Sequence, residues 1–234
     1  MTSQLTIDFA VDKLRSFDNF FVEENEALVD ALKRFVAKEL CAPSDSLFYL
    51  HGSAGLGKSH LLEAVCQMGT ELGLRCQYVP VASFINMQPE ITFGMEAADI
   101  LCIDDIGLVE KSQVWQEALF DLVNRVIEQG HKIIFSSQFS ARESQLSLAD
   151  LESRLEWGET WKIKELDDEQ QIRLLQFRAN CKGMSISNDV AQYIHHRLSR
   201  DIASIIECLD SLDAQSLAEQ RKLTIPFIKT VMDW

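Results

Sequence analysis

Apolar and polar residues alternate in blocks along the first two thirds of the chain. Leu28, Val29, Leu32, Phe35 and Val36 recur at helical spacing and predict an amphipathic helix over Asn25 to Glu39. Four continuous apolar runs follow: Leu47 to Leu50, Cys76 to Val81, Ile100 to Ile103 and Lys132 to Phe135. Runs of this length, apolar on both faces, suit strands of a parallel sheet covered on each side. Between them lie helical patterns, the clearest with Trp115, Ala118, Leu119, Leu122, Val123, Val126 and Ile127 on one face and Gly130 at its end. Thr160 to Ile163 reads as a fifth strand. Strands alternating with helices predict an α/β layer fold.

Past Leu166 no strand pattern remains. Asp167 to Gln170 carries the signature of a capped helix start, with Gly183 closing that helix. Ser187 caps a second helix, a third spans Asp201 to Gln220, and residues 224–233 form a short last one. The expected organisation is a mobile tail over 1–16, an α/β domain over 17–165 and a small all-helical domain over 166–234.

The chemistry enters with Gly52-Ser53-Ala54-Gly55-Leu56-Gly57-Lys58-Ser59, which fits G-x-x-x-x-G-K-[ST] at every fixed position and lies between an apolar strand and a helix. Glycines let successive backbone N–H groups curl around phosphates, and the helix N-terminus adds positive partial charge. Lys58 is placed to reach the β- and γ-phosphates and Ser59 to ligate Mg2+. Asp104 and Asp105 follow the apolar strand Ile100 to Ile103, at the end where open α/β sheets bind ligands. Asp104 is the candidate Mg2+ holder and Asp105 the candidate that polarises an attacking water. ADP or ATP with Mg2+ is therefore the expected cofactor.

Composition narrows the partners. The chain carries 36 acidic against 22 basic residues, a net charge of −14, and its 47% hydrophobic content allows a full core. That field opposes a phosphate backbone, so proteins are expected as partners rather than nucleic acid. No apolar run approaches the roughly 20 residues of a membrane span. Six cysteines without any Cys-x-x-Cys pair read as small buried hydrophobes of a reducing, cytoplasmic compartment. The histidines show no metal spacing.

The phosphate loop, Ile103-Asp104-Asp105-Ile106 and Ser16-Phe17-Asp18-Asn19-Phe20 together resemble the DnaA replication-initiator family of AAA+ ATPases. The resemblance runs over nearly the whole chain but only over that family's core and lid, without its DNA-binding helix-turn-helix domain. It implies a P-loop AAA+ core with a five-stranded parallel sheet, a helical lid, and nucleotide lodged between the two. It implies that Phe17, Asp18, Phe20 and Val22 help enclose the base, with His60 beside the loop. Ser137 resembles the family's polar sensor residue, although a strand-end serine has the same signature. Arg154 resembles its arginine finger, although alone it would read as a solvated helix arginine. The family's lid arginine falls on Ala203 here, with Arg200 the nearest substitute, which implies weak hydrolysis by the chain itself and nucleotide held as a switch.

Gln4-Leu5-Thr6-Ile7-Asp8-Phe9 resembles the peptide that docks on the bacterial sliding clamp: Gln4 at a pocket rim, Leu5, Ile7 and Phe9 in apolar pockets. The same alternation is also that of an edge strand. Together these features imply a regulator that binds the DNA polymerase sliding clamp and stimulates hydrolysis of ATP held by DnaA, with a homodimer as a further possible assembly. A helicase loader acting on DNA or on a replicative helicase is the alternative. Against it, Cys76 through Glu110 contains no Lys or Arg.

Overall fold

The computed structural model describes residues 15–198, 202–219 and 223–234, with the backbone alone at 202, 203 and 216–219. The chain divides into two compact units: the first includes Glu24–Lys164 with the segment ending at Phe20, the second Glu165–Trp234 with Phe21–Glu23.

In the first unit α1 (Glu26–Ala37) precedes β1 (Leu47–His51), α2 (Lys58–Glu71), β2 (Cys76–Pro80), β3 (Ile100–Asp104), α3 (Gln113–Glu128), β4 (Lys132–Ser137), α4 (Ala149–Trp157) and β5 (Glu159–Lys162). The sheet has five strands in the order β2-β3-β4-β1-β5, and every pairing is parallel. The continuous apolar runs explain the interior of the sheet: all residues of β3 and β4, and Leu47 to Leu50 of β1, are buried. One core layer joins Tyr49, Leu101, Ile103 and Phe135 to the apolar face of α3, including Leu119, Leu122 and Val126. Removing a fully buried Leu from such a layer costs roughly 2–5 kcal/mol.

The order places β4 between β1 and β3, so the carboxyl ends of three adjacent strands deliver His51 and the phosphate loop, Ser137, and Asp104 to one rim. Lys132, which the hydrophobic pattern counted as part of an apolar strand, is buried at the start of β4. Its ammonium donates to Phe35 O, Val36 O and Lys38 O, so it closes the C-terminus of α1. At the same amino-terminal end of the strands, Gly158 links α4 to β5 where any Cβ would overlap the Leu47 carbonyl.

The second unit is helical: α5 (Asp168–Cys181), α6 (Asn188–His195), α7 (Ile202–Glu219) and α8 (Ile225–Met232). α5 starts in the expected capping box, Gln170 N donating to Asp167 Oδ1 and Asp167 N donating to Gln170 Oε1, each at 2.8 Å. Ser187 caps α6 and Thr224 caps α8. Their apolar faces meet in a small core containing Leu175, Ile194, Leu209 and Ile228. Phe21 joins this unit through a ring contact with Phe177, and Glu23 through an ion pair with Arg173. No helix among the described residues is long and apolar enough to cross a membrane.

Candidate functional site

The loop from Gly52 to Gly57 curls because three of its glycines take backbone angles that side chains resist. Gly52, Gly55 and Gly57 have φ of 154°, 80° and 91°. At Gly57 there is also no room, since a Cβ would lie 2.9 Å from the Phe20 ring. Phe20 stacks edge-on against His60, whose Nε2 contacts Ser16 O at 2.8 Å. The segment before α1 is thus laid against the first turn of α2. Phe17 is buried beside it, whereas Asp18 is exposed. Val22 groups with the helical unit.

Lys58 opens α2 and turns its ammonium back over the loop, donating to Gly52 O at 2.7 Å and Ser53 O at 2.8 Å. Burial lowers its pKa, while Asp105 and Asp104 act in the opposite sense. Ser53, Ala54 and Gly55 are exposed, and Leu56, Lys58 and Ser59 are half-buried. The loop therefore offers backbone N–H groups and one cation to solvent, which is the equipment for binding phosphate.

Asp104 closes β3 as a buried carboxylate that accepts three hydroxyl hydrogen bonds. Ser59 Oγ donates to Oδ2 at 2.6 Å, Tyr78 OH donates to the same oxygen at 2.7 Å, and Ser136 Oγ donates to Oδ1. Burial first, and then the contact with Asp104, raise the Tyr78 pKa, so its proton stays on the phenol as the donor. The juxtaposed oxygens of Ser59 and Asp104 suit a hard cation such as Mg2+, which keeps waters and phosphate oxygens as its other ligands. Among the described residues no group of three or more His, Cys, Asp or Glu side chains could hold a metal alone.

Asp105 takes the left-handed conformation, φ 62°, which Asp tolerates better than most residues. Its N–H donates to Ser136 Oγ at 2.9 Å, and the residue as a whole is exposed at the rim. Partial desolvation of its carboxyl, and next the Asp104 charge, raise its pKa. Ser137 ends β4 buried, accepting from Gly52 N through its carbonyl at 3.2 Å, so strand and phosphate loop are tied at that residue. Asp105 Oδ1 and Ser137 Oγ converge around Gly107, each within ordinary contact of the position a Cβ there would take.

Arg154 lies elsewhere, on α4, at a depression of about 460 Å3 lined by Phe120, Asp150, Ser153, Arg154, Glu156 and Trp157. That lining shares no residue with the phosphate loop or the two aspartates. The guanidinium sits over the Trp157 ring, 4.9 Å from its centroid. Among the described residues no carboxylate pairs with it within 4 Å; Glu156 pairs with Arg142 instead. α4 is held at its start by Gln116, a fully buried residue of α3. Its Nε2 donates to Val109 O and Glu110 O, and its Oε1 accepts from Ser147 N and Leu148 N.

Gln4, Leu5, Ile7, Phe9 and Arg200 lie outside the described residues, and Ala203 falls in the first turn of α7. Tyr78, Ser136, Gln116 and Trp157 were not singled out from sequence. A polar tip in the middle of an apolar strand is the one signal that could have pointed to Tyr78.

A model of the bacterial DnaA ATPase domain matches residues 11–162. The chain belongs to the DnaA ATPase family. The model of the Hda lid domain matches residues 168–232, so the helical segment of this DnaA relative carries its own family signature. Domain III of the Thermotoga maritima replication initiation protein DnaA superposes with a TM-score of 0.79 at 18% identity, covering 95% of this chain and 97% of that one. A replication initiator DnaA bound to AMPPCP and single-stranded DNA gives 0.75 at 20% identity, over 86% of this chain and 65% of the other. The Thermotoga maritima RuvB Holliday junction branch migration motor gives 0.68 at 16% identity, over 94% and 71%. At these identities the three likenesses concern the fold: a DnaA-like AAA+ core.

Proposed function

We propose that this protein is a nucleotide-bound regulator of replication initiation that acts on a second DnaA-family ATPase. Its phosphate loop holds ADP or ATP, with Lys58 at the phosphates and Ser59 and Asp104 at Mg2+. Tethered to the DNA polymerase sliding clamp through Gln4, Leu5, Ile7 and Phe9, it presents Arg154 to ATP held by DnaA. Hydrolysis there inactivates the initiator and prevents a second round of initiation. A divalent metal held by Ser59 and Asp104 would neutralise phosphate charge. Within the chain's own site Asp105 would orient water and Ser137 would serve as the polar residue facing the phosphates.

The observation that carries this reading is Arg154: a half-exposed guanidinium, without a carboxylate partner among the described residues, at a depression separate from the phosphate loop. A cation so placed is available to charge that develops on another molecule. An arginine finger contributes roughly 10³–10⁵-fold in such reactions. Direct action on DNA is disfavoured by the absence of Lys and Arg from Cys76 to Glu110.

The test is hydrolysis of ATP bound to purified DnaA, with this protein and DNA-loaded clamp added singly and together. Stimulation is expected only with both, and to be lost in Arg154→Ala while clamp binding persists. Full stimulation by Arg154→Ala would overturn the finger, and clamp-independent stimulation would overturn the tether.

A further inference from the structure

An arginine on a helix surface commonly finds a carboxylate three or four residues away, and α4 supplies Asp150 four residues before Arg154. That pair does not form. Glu156, the other acid at the depression, is held by Arg142, whose Nε donates to its Oε1 at 2.5 Å. The Arg154 guanidinium rests instead on Trp157, three residues on and therefore on the same helical face. Trp157 itself is 42% exposed, unusual for the largest apolar side chain. Its ring is not there to fill the core.

We infer that Trp157 is a positioning residue for Arg154, an aromatic rest that orients the guanidinium without neutralising it. This rests on the reading of Arg154 as the group offered to a partner's phosphates. A carboxylate in the same place would fix the side chain more firmly, but its bond would have to break before an anion could be met. The ring face holds the cation through its quadrupole, leaves the N–H edges free to donate, and restricts a side chain with four rotatable torsions. Arg142 complements this arrangement by drawing Glu156 away from the finger.

The experiment measures the rate of hydrolysis of DnaA-bound ATP against the concentration of this protein, with DNA-loaded clamp present. The variants are Trp157→Ala, Trp157→Phe, Arg154→Ala and the double Arg154→Ala, Trp157→Ala. Trp157→Ala is expected to lower the maximal stimulated rate about two- to fivefold, the worth of one exposed cation–π contact. The half-saturating concentration should stay within about twofold, Trp157→Phe should recover most of the rate, and the double variant should match Arg154→Ala alone. An unchanged maximal rate in Trp157→Ala, while Arg154→Ala abolishes stimulation, would overturn this inference and leave the finger standing. A raised half-saturating concentration at unchanged maximal rate would also overturn it, because the ring would then be a docking contact. Stimulation that survives Arg154→Ala would overturn both. Thermal melts of Trp157→Ala exclude unfolding as the cause, and failure of Trp157→Phe to recover the rate counts against the cation–π rest.

Discussion

Replacing Gln116 by Leu tests whether one buried amide fastens α4 to the rest of the core. The side chain is fully buried and bonds four backbone groups: donors to Val109 O at 3.1 Å and Glu110 O at 2.9 Å, and acceptor from Ser147 N and Leu148 N, both at 2.9 Å. A net contribution of about 1 kcal/mol per hydrogen bond puts the gross loss near 4 kcal/mol. Ser147 is exposed, so its N–H recovers a water partner, and the leucine gains some apolar burial. The expected destabilisation is then about 2–3 kcal/mol. For a chain of this size that corresponds to a fall of roughly 5–10 °C in the melting temperature. The assay is thermal unfolding by calorimetry, with Gln116→Glu as companion. Glutamate keeps the acceptor for Ser147 and Leu148 but turns a charge on two carbonyls, so at neutral pH it should cost more than leucine and recover partly in acid. A leucine variant within about 1 kcal/mol of the parent would refute the reasoning.

Three further outcomes are expected. Gly57→Ala forces a side chain into a left-handed position and against Phe20; with the left-handed cost alone roughly 1–2 kcal/mol, affinity for a fluorescent nucleotide should fall about tenfold or more, and unchanged affinity would show that the loop tolerates a Cβ. Asp104→Asn converts an acceptor of three hydroxyls into a group that also donates; it should weaken the Mg2+ dependence of nucleotide binding by roughly 10- to 100-fold, read by titration with and without the ion. The Arg75 guanidinium first, then the Arg75 backbone N–H, with a lesser contribution from His131, hold the Asp99 carboxyl at about 2 instead of 3.8. A lowered carboxyl pKa stabilises the fold above 3.8 and loses that contribution as pH falls through about 2. Arg75→Ala, which keeps that backbone donor, should therefore move the NMR titration of Asp99 part of the way up towards 3.8, and the stability gap between parent and variant should narrow between pH 4 and 2. A gap that stays constant there would sink this account.

Much of the architecture was legible because local pattern and tertiary role agree. Leu47 to Leu50 and Ile100 to Ile103 are apolar on both faces and become interior strands; Asp167 and Gln170 carry their capping box in four consecutive residues. The phosphate loop is equally local, its function written in glycine spacing. What escaped was polar and long-range. Lys132 finds its three carbonyl partners more than 90 residues earlier in the chain, on α1 and just beyond it. Tyr78 and Ser136 reach Asp104 from neighbouring strands, which requires knowing the strand order. Gln116 looks like any polar residue of an amphipathic helix until the segments at 109–110 and 147–148 are seen to close on it. No periodicity encodes such partners.

The mounting of α4 has a consequence for any association it takes part in. Its first turn is gripped through Ser147 and Leu148, and its last residue adjoins Gly158, wedged against the Leu47 carbonyl. The entropy of fixing that backbone is lost on folding, not on encounter. If a partner meets Arg154 as proposed, the backbone beneath it adds no ordering cost, and fixing the arginine side chain costs at most roughly 0.5–1.5 kcal/mol, where the same arginine on a loose loop would also carry the ordering of the residues around it.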